Sequence, residues 1–155
     1  MMEQINLIVE WDDVMQEVDK ATDYPGATMD DSSEVRDRIA MTGADMENLR
    51  RFWEESASSA NDRLKDMFVS GTIPGSKDNY DVILEVSKSF NKALVPSVQS
   101  SLRSYFVQSI VGKWFRFTNK KESEVYIAEA NRLMEDVMRK LYSRQRPVSP
   151  RRSRS

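Results

Sequence analysis

Between Ser104 and Gly112 the chain carries no charged residue, and this stretch lies inside a longer run, about residues 92–117, whose apolar side chains recur at steps of three and four. Leu94, Val98, Leu102, Tyr105, Phe106, Ile110 and Trp114 make the main stripe, and Val107, Val111 and Phe115 widen it. A helix that is apolar over most of its circumference is stable only when other elements surround it, so the pattern predicts a central helix in a bundle. Pro96 fits such a helix only near its first turn. Gly112, inside the run, costs about 1 kcal/mol relative to alanine and permits either a close helix crossing or a kink.

The elements that surround this helix are legible in the same way. Met46, Leu49, Phe52, Trp53, Ala57, Ala60, Leu64, Met67 and Phe68 predict a long amphipathic helix over 43–69, closed by Gly71 and a turn at Pro74-Gly75. Asn119-Lys-Lys-Glu122 is a capping-box signature that opens a helix over 120–143. Tyr126, Ala130, Leu133, Val137 and Leu141 form its stripe, with Met134 and Met138 read as core rather than as a groove for a partner helix. Near the start, Asp12 or Asp13 caps a short helix with Val14, Met15 and Val18 on one face, stopped by Tyr24-Pro25-Gly26. Residues 27–33 read as a loop, and Val35 to Ala40 as a brief helical turn. Two segments alternate with a period of two: Ile5, Leu7, Val9 and Trp11 against Asn6, Ile8 and Glu10, and Tyr80, Val82, Leu84 and Val86 against Asp81, Ile83 and Glu85. They predict short strands that pair with each other, in a ribbon stable only under helical cover and with edges open to a neighbour's strand. The fold class expected is mainly α: a bundle of three long helices plus a short N-terminal helix, a small two-stranded β element, and a disordered Arg-rich C-terminal tail.

Composition limits the chemistry. The 155 residues suit one domain, read as 1–143, with an arm over 144–155. With no cysteine and no histidine, thiolate nucleophiles, imidazole bases, disulfides and the usual zinc sites are excluded. The adjacent carboxylates Asp12/Asp13, Asp30/Asp31, Glu54/Glu55 and Glu135/Asp136 sit at caps or loops, or point about 100° apart on a helix, and are read as solvated. There is no Gly-rich phosphate loop and no Ser-centred nucleophile elbow. The expectation is a non-enzyme with no catalytic, metal or cofactor residues. No apolar run approaches the roughly 20 residues that span a bilayer, and Met1-Met2-Glu3 lacks a basic leader, so the cytoplasm is the expected site of synthesis.

Charge is distributed unevenly. Residues 1–90 carry a net −11 and residues 91–155 a net +9. Either both halves solvate their own faces, or one copy's acidic part meets another's basic part head to tail, a contact that closes into a ring if the rotation permits. Arg144, Arg146, Arg151, Arg152 and Arg154 cluster in the final segment with Pro147 and Pro150, and only Val148 there has a side chain to bury. That segment is a candidate arm for phosphates or for an acidic groove on a partner, the alternative being a solubilising tail. Residues 1–143 alone carry −7, so contact with DNA would run through the arm.

The order of elements, the run Ser104-Tyr-Phe-Val-Gln-Ser-Ile-Val-Gly-Lys-Trp-Phe115 and the close Leu141-Tyr-Ser-Arg-Gln-Arg-Pro147 resemble the head–tail connector (neck or adaptor) proteins of tailed bacteriophages, of the type found in Bacteroides-like phages and prophages. The resemblance implies a structural virion protein at the neck. It would form a ring of about a dozen copies beneath the portal, extend the DNA channel, and meet a tail-completion or stopper protein. On this chain it makes the Arg144 to Arg154 segment the portal-binding arm. The strand at Ile5 to Trp11 departs from an all-helical connector. The alternatives are a small cytoplasmic regulator or nucleic-acid-binding protein acting through the arm, or a virion-assembly helper.

Overall fold

The computed structural model describes residues 2–27, 43–69 and 79–144, with side chains over 2–22, 46–69 and 79–144. Six elements follow in order: β1 (Met2–Glu10), α1 (Trp11–Ala27), α2 (Gly43–Leu64), β2 (Asn79–Ser87), α3 (Val95–Trp114) and α4 (Lys120–Tyr142). Single 3-10 turns extend α2 at Lys65–Met67, precede α3 at Lys92–Leu94 and follow it at Phe115–Phe117. The loop expected at 27–33 (beyond Ala27), the turn at Val35 to Ala40 and the Pro74-Gly75 turn lie outside the described residues.

The strands pair antiparallel over their whole length, with Ile5 opposite Leu84, Leu7 opposite Val82 and Val9 opposite Tyr80. All six of these side chains are buried, so the period of two fixed which face meets the helices. The edges are less open than expected. The N–H of Ile8, on the outer edge of β1, donates to Gln99 Oε1 of α3 at 3.0 Å. On β2, Val69 N–H donates to the Ile83 carbonyl at 3.1 Å, and Phe68 bridges Leu84. This pairing ends α2 and its 3-10 turn at Met67, short of the expected 69, because Phe68 turns to an extended conformation.

Trp11 opens α1 rather than closing the strand, and its N–H donates to Asn79 Oδ1 of β2 at 3.1 Å. A side chain 68 residues away thus serves the helix start, and Asp12 and Asp13 sit in the first turn, where the helix dipole favours carboxylates. The helix passes through Pro25 and Gly26 to Ala27. A proline that close to a helix end interrupts few ladder bonds.

As expected, α3 is central and touches α1, α2, α4 and β1. Val98, Leu102, Phe106, Ile110 and Val111 are fully buried. Phe106 is ringed by Trp53 of α2, Tyr80 of β2 and its own neighbour Tyr105, at centroid distances of 4.7, 5.0 and 5.4 Å. The polar atoms in this core are paired: Tyr80 donates to Asn61 Oδ1 at 2.6 Å and Tyr105 to the Ser56 carbonyl at 2.8 Å. The Ser56 and Ser109 hydroxyls share a bond of 2.7 Å where α2 crosses α3. Burial pushes both phenols above the ordinary tyrosine range.

The Gly112 alternatives resolve to a close crossing. A Cβ there would lie 2.7 Å from Ile127 Cδ1 and 3.2 Å from the Ile127 backbone nitrogen on α4, and Ser123 Oγ donates to the Gly112 carbonyl at 2.7 Å. Asn119 caps α4, its side chain accepting from Glu122 N–H at 3.2 Å. The other half of the capping box is replaced, since Asn119 N–H donates to the Phe115 carbonyl at 2.8 Å.

Gly112→Ala should therefore lower stability by about 1–3 kcal/mol despite alanine's better helix propensity, because the neighbouring backbone limits relaxation. Urea denaturation of Gly112→Ala, Ile127→Ala and the double variant checks this, with a favourable coupling in the double variant as the signature of the Ile127 contact.

Candidate interaction surfaces

Five arginines were the sequence-derived candidates for partner binding. Arg144 is exposed just past α4, and Arg146, Arg151, Arg152 and Arg154 lie outside the described residues. The carboxylate pairs diverge as their spacing requires where they are described, but the expectation that all are solvated fails at Asp136, whose side chain is only 14% exposed because α3 covers it. Glu135 meets Arg63 of α2, whereas Asp136 turns toward α3. Glu55 pairs with Lys113 at 3.4 Å while Glu54 faces solvent. Asp30 and Asp31 lie outside the described residues.

Asp136 anchors a polar seam between α3 and α4. It accepts from Ser101 Oγ at 2.9 Å and Lys140 Nζ at 2.7 Å, and Lys140 also donates to Ser97 Oγ at 2.6 Å. Hydrogen bonding to Lys140 first, and to Ser101 next, holds the carboxyl below the ordinary aspartate range.

The charge polarity of the sequence takes a specific form in the fold. Lys92, Arg103 and Lys113 are the only cations between residues 91 and 115. Lys92 reaches Glu3 of β1 at 3.3 Å, Arg103 reaches Glu17 of α1 at 4.0 Å, and Lys113 reaches Glu55 of α2. The basic half thus spends these cations on three acidic elements of its own chain. Neither alternative read from the sequence, solvated faces or a contact between copies, included this internal pairing.

Two exposed apolar patches with different flanking charges stand out among the described residues. Beyond the end of α3, Phe117 is 85% exposed, with Val125 on the first turns of α4 at 65%. Arg116, Lys120 and Lys121 stand beside them, none ion-paired among the described residues, and the exposed carboxylates Glu122 and Glu124 flank Val125. The outer face of the ribbon exposes Ile8 and Ile83 beside Glu10, Asp81 and Glu85. Asp81 accepts from Asn6 across the strands at 2.7 Å. The ribbon meets α3 at Gln99, about 22 Å of helix axis from Trp114, so the two surfaces belong to different ends of the central helix.

Clefts are shallow. One of about 640 Å³ lies between α1, α3 and α4, walled by the stacked rings of Phe115 and Tyr126 and by Glu17 and Lys20. Comparison with protein-family models, curated proteins and solved structures returned no match.

Asp136→Asn should cost about 1 kcal/mol at neutral pH, the seam being partly solvated. A carboxylate held low contributes stability above its unfolded pKa and loses it as pH falls through the folded value. The difference in denaturation midpoint between parent and Asp136→Asn is therefore full at pH 7 and closes as the pH is taken below the ordinary aspartate range.

Proposed function

We propose that this protein is a structural component of a tailed-phage neck, a head–tail connector whose copies associate head to tail around the DNA channel beneath the portal. The observation that carries the reading is the pair of complementary surfaces. One is apolar with an excess of cations, Arg116, Lys120 and Lys121 around Phe117 against Glu122 and Glu124. The other is apolar with carboxylates, at Ile8, Ile83, Glu10 and Asp81. Different surfaces on one chain that match each other make a heterologous contact, the type that generates rings. Their charges remain after the internal pairs are formed, and the apolar centres supply burial that charge alone does not. In this reading the Arg144 to Arg154 arm docks on portal protein, a tail-completion protein lies on the other side, and neither a cofactor nor an active site is needed.

The test is retrieval from a producing lysate with an N-terminally tagged chain that leaves the arm free. Portal and tail-completion proteins should be recovered, in a complex whose mass reports several copies. Lys120→Glu with Lys121→Glu should reduce the copies per complex, and mixing with Glu10→Lys/Asp81→Lys chains should restore them. Recovery of chromosomal DNA or polymerase without virion proteins would replace the neck by a regulator acting through the arm.

A further inference from the structure

A groove of about 360 Å³ lies between the end of α4, the Lys65–Met67 turn and the Met2/Ser87 end of the ribbon. Its floor is Met67, Val86 and Leu141, all buried, and its rim holds Met2 and Tyr142, exposed by 55% and 59%. Asp66 and Glu85 line it and form no ion pair among the described residues. Arg144, the last described residue, also lines it, so the chain leaves the fold from within the groove. The 11 residues of sequence that follow contain Arg146, Arg151, Arg152 and Arg154, with Pro147, Val148 and Pro150, and no acidic residue.

We propose that this groove is the docking site of the chain's own arm, with Pro147 to Pro150 against Met2 and Tyr142 and arginines on Asp66 and Glu85. Three features select the same chain as occupant. First, the tether is minimal: Val148 is four residues from Arg144, within about 14 Å, and so short a link gives an effective concentration in the millimolar range, enough for a weak contact. Second, the charges match, two carboxylates without an ion pair among the described residues facing a segment whose only charged side chains are guanidiniums. Third, the apolar content matches, because the arm's few apolar residues meet the two large side chains the fold leaves exposed there. Each proline fixes one backbone dihedral in the free chain as well, which lowers the ordering cost of docking. An outside partner must then displace the arm, and its apparent affinity falls by the fraction of arms docked.

This inference stands whether the outside partner is a portal or a nucleic acid, and its test needs neither. The sequence has no cysteine, so Ser153→Cys in the whole chain gives one site for a nitroxide label, read by paramagnetic broadening of backbone amides. Broadening should concentrate at Asp66, Met67, Glu85, Val86 and Leu141. In Asp66→Asn/Glu85→Gln, which changes only surface carboxylates, the docked-to-free ratio should fall about fivefold, as two exposed ion pairs of usual strength require. Salt at about 0.5 M should produce a similar loss. Broadening that the double variant leaves unchanged would falsify docking in this groove. Broadening that arises only when labelled chains are mixed with isotope-labelled, nitroxide-free chains would assign the groove to a neighbour's arm and overturn the proposal.

Discussion

Everything in this molecule is arranged around the dry middle of α3. Phe106 is the point where the other elements are registered: Trp53 brings α2 to it, Tyr80 brings the ribbon, and Trp11 packs edge-on against Trp53 at 5.3 Å, which ties the start of α1 to the same cluster. Filling such a site with an aromatic ring is worth about 3–5 kcal/mol, a large part of the net stability of a domain this size. A two-stranded ribbon is marginal by itself, so its integrity is borrowed from this contact. On another face of α3, Gly112 lets α4 approach until backbone and side chain touch, which explains a glycine inside the last turn of an otherwise strongly helical segment.

That dry middle also dictates where charge can go. With no charged residue between Ser104 and Gly112, the cations of α3 are confined to its ends and its first half. There they reach outward to Glu3, Glu17 and Glu55, one on each of the three elements that precede β2. Exposed pairs of this kind add little stability each. They do favour the observed arrangement of β1, α1 and α2 around α3, since a displaced element would leave its cation without a carboxylate. The opposed charges of the two halves are thus in part an internal matching, which the sequence alone does not separate from charge available to another molecule.

Much of the fold was legible because it depends on periodicity. The Leu94 to Trp114 stripe, the Asn119 cap and the two alternating segments each specified an element and the face it buries. Boundaries set by distant groups were not legible. Nothing local indicates that Asn79 receives the first N–H of α1, or that Val69 leaves the helix to meet Ile83. Ser56 offered a signal that reasoning from hydrophobicity passes over. It falls at helical spacing from Phe52, Trp53 and Ala60, a core position, and a small hydroxyl there allows α2 to cross close to α3 against Ser109. The interaction surfaces were the least legible, because they are defined by which charges remain after tertiary pairing. Arg116 and Lys113 look alike in sequence, yet Lys113 is committed to Glu55 and Arg116 is not.

The ribbon edges bear on how copies of such a chain can associate. Strand addition needs a run of unpaired N–H and C=O groups along an edge. On β1 that run is broken at Ile8 by Gln99, and on β2 at Ile83 by Val69. The break on β2 falls at the centre of its strand and that on β1 nearer its end, so an added strand of full length would meet an interruption on either edge. In the proposed assembly, contact between copies would be made by faces, with Ile8 and Ile83 supplying apolar area and the surrounding carboxylates supplying direction. Such a contact is weaker and more sensitive to salt than a shared sheet, and it separates without unfolding either partner. A subunit that must stay apart until a template gathers it is served better by faces of this kind than by open edges, which would let free copies join irreversibly.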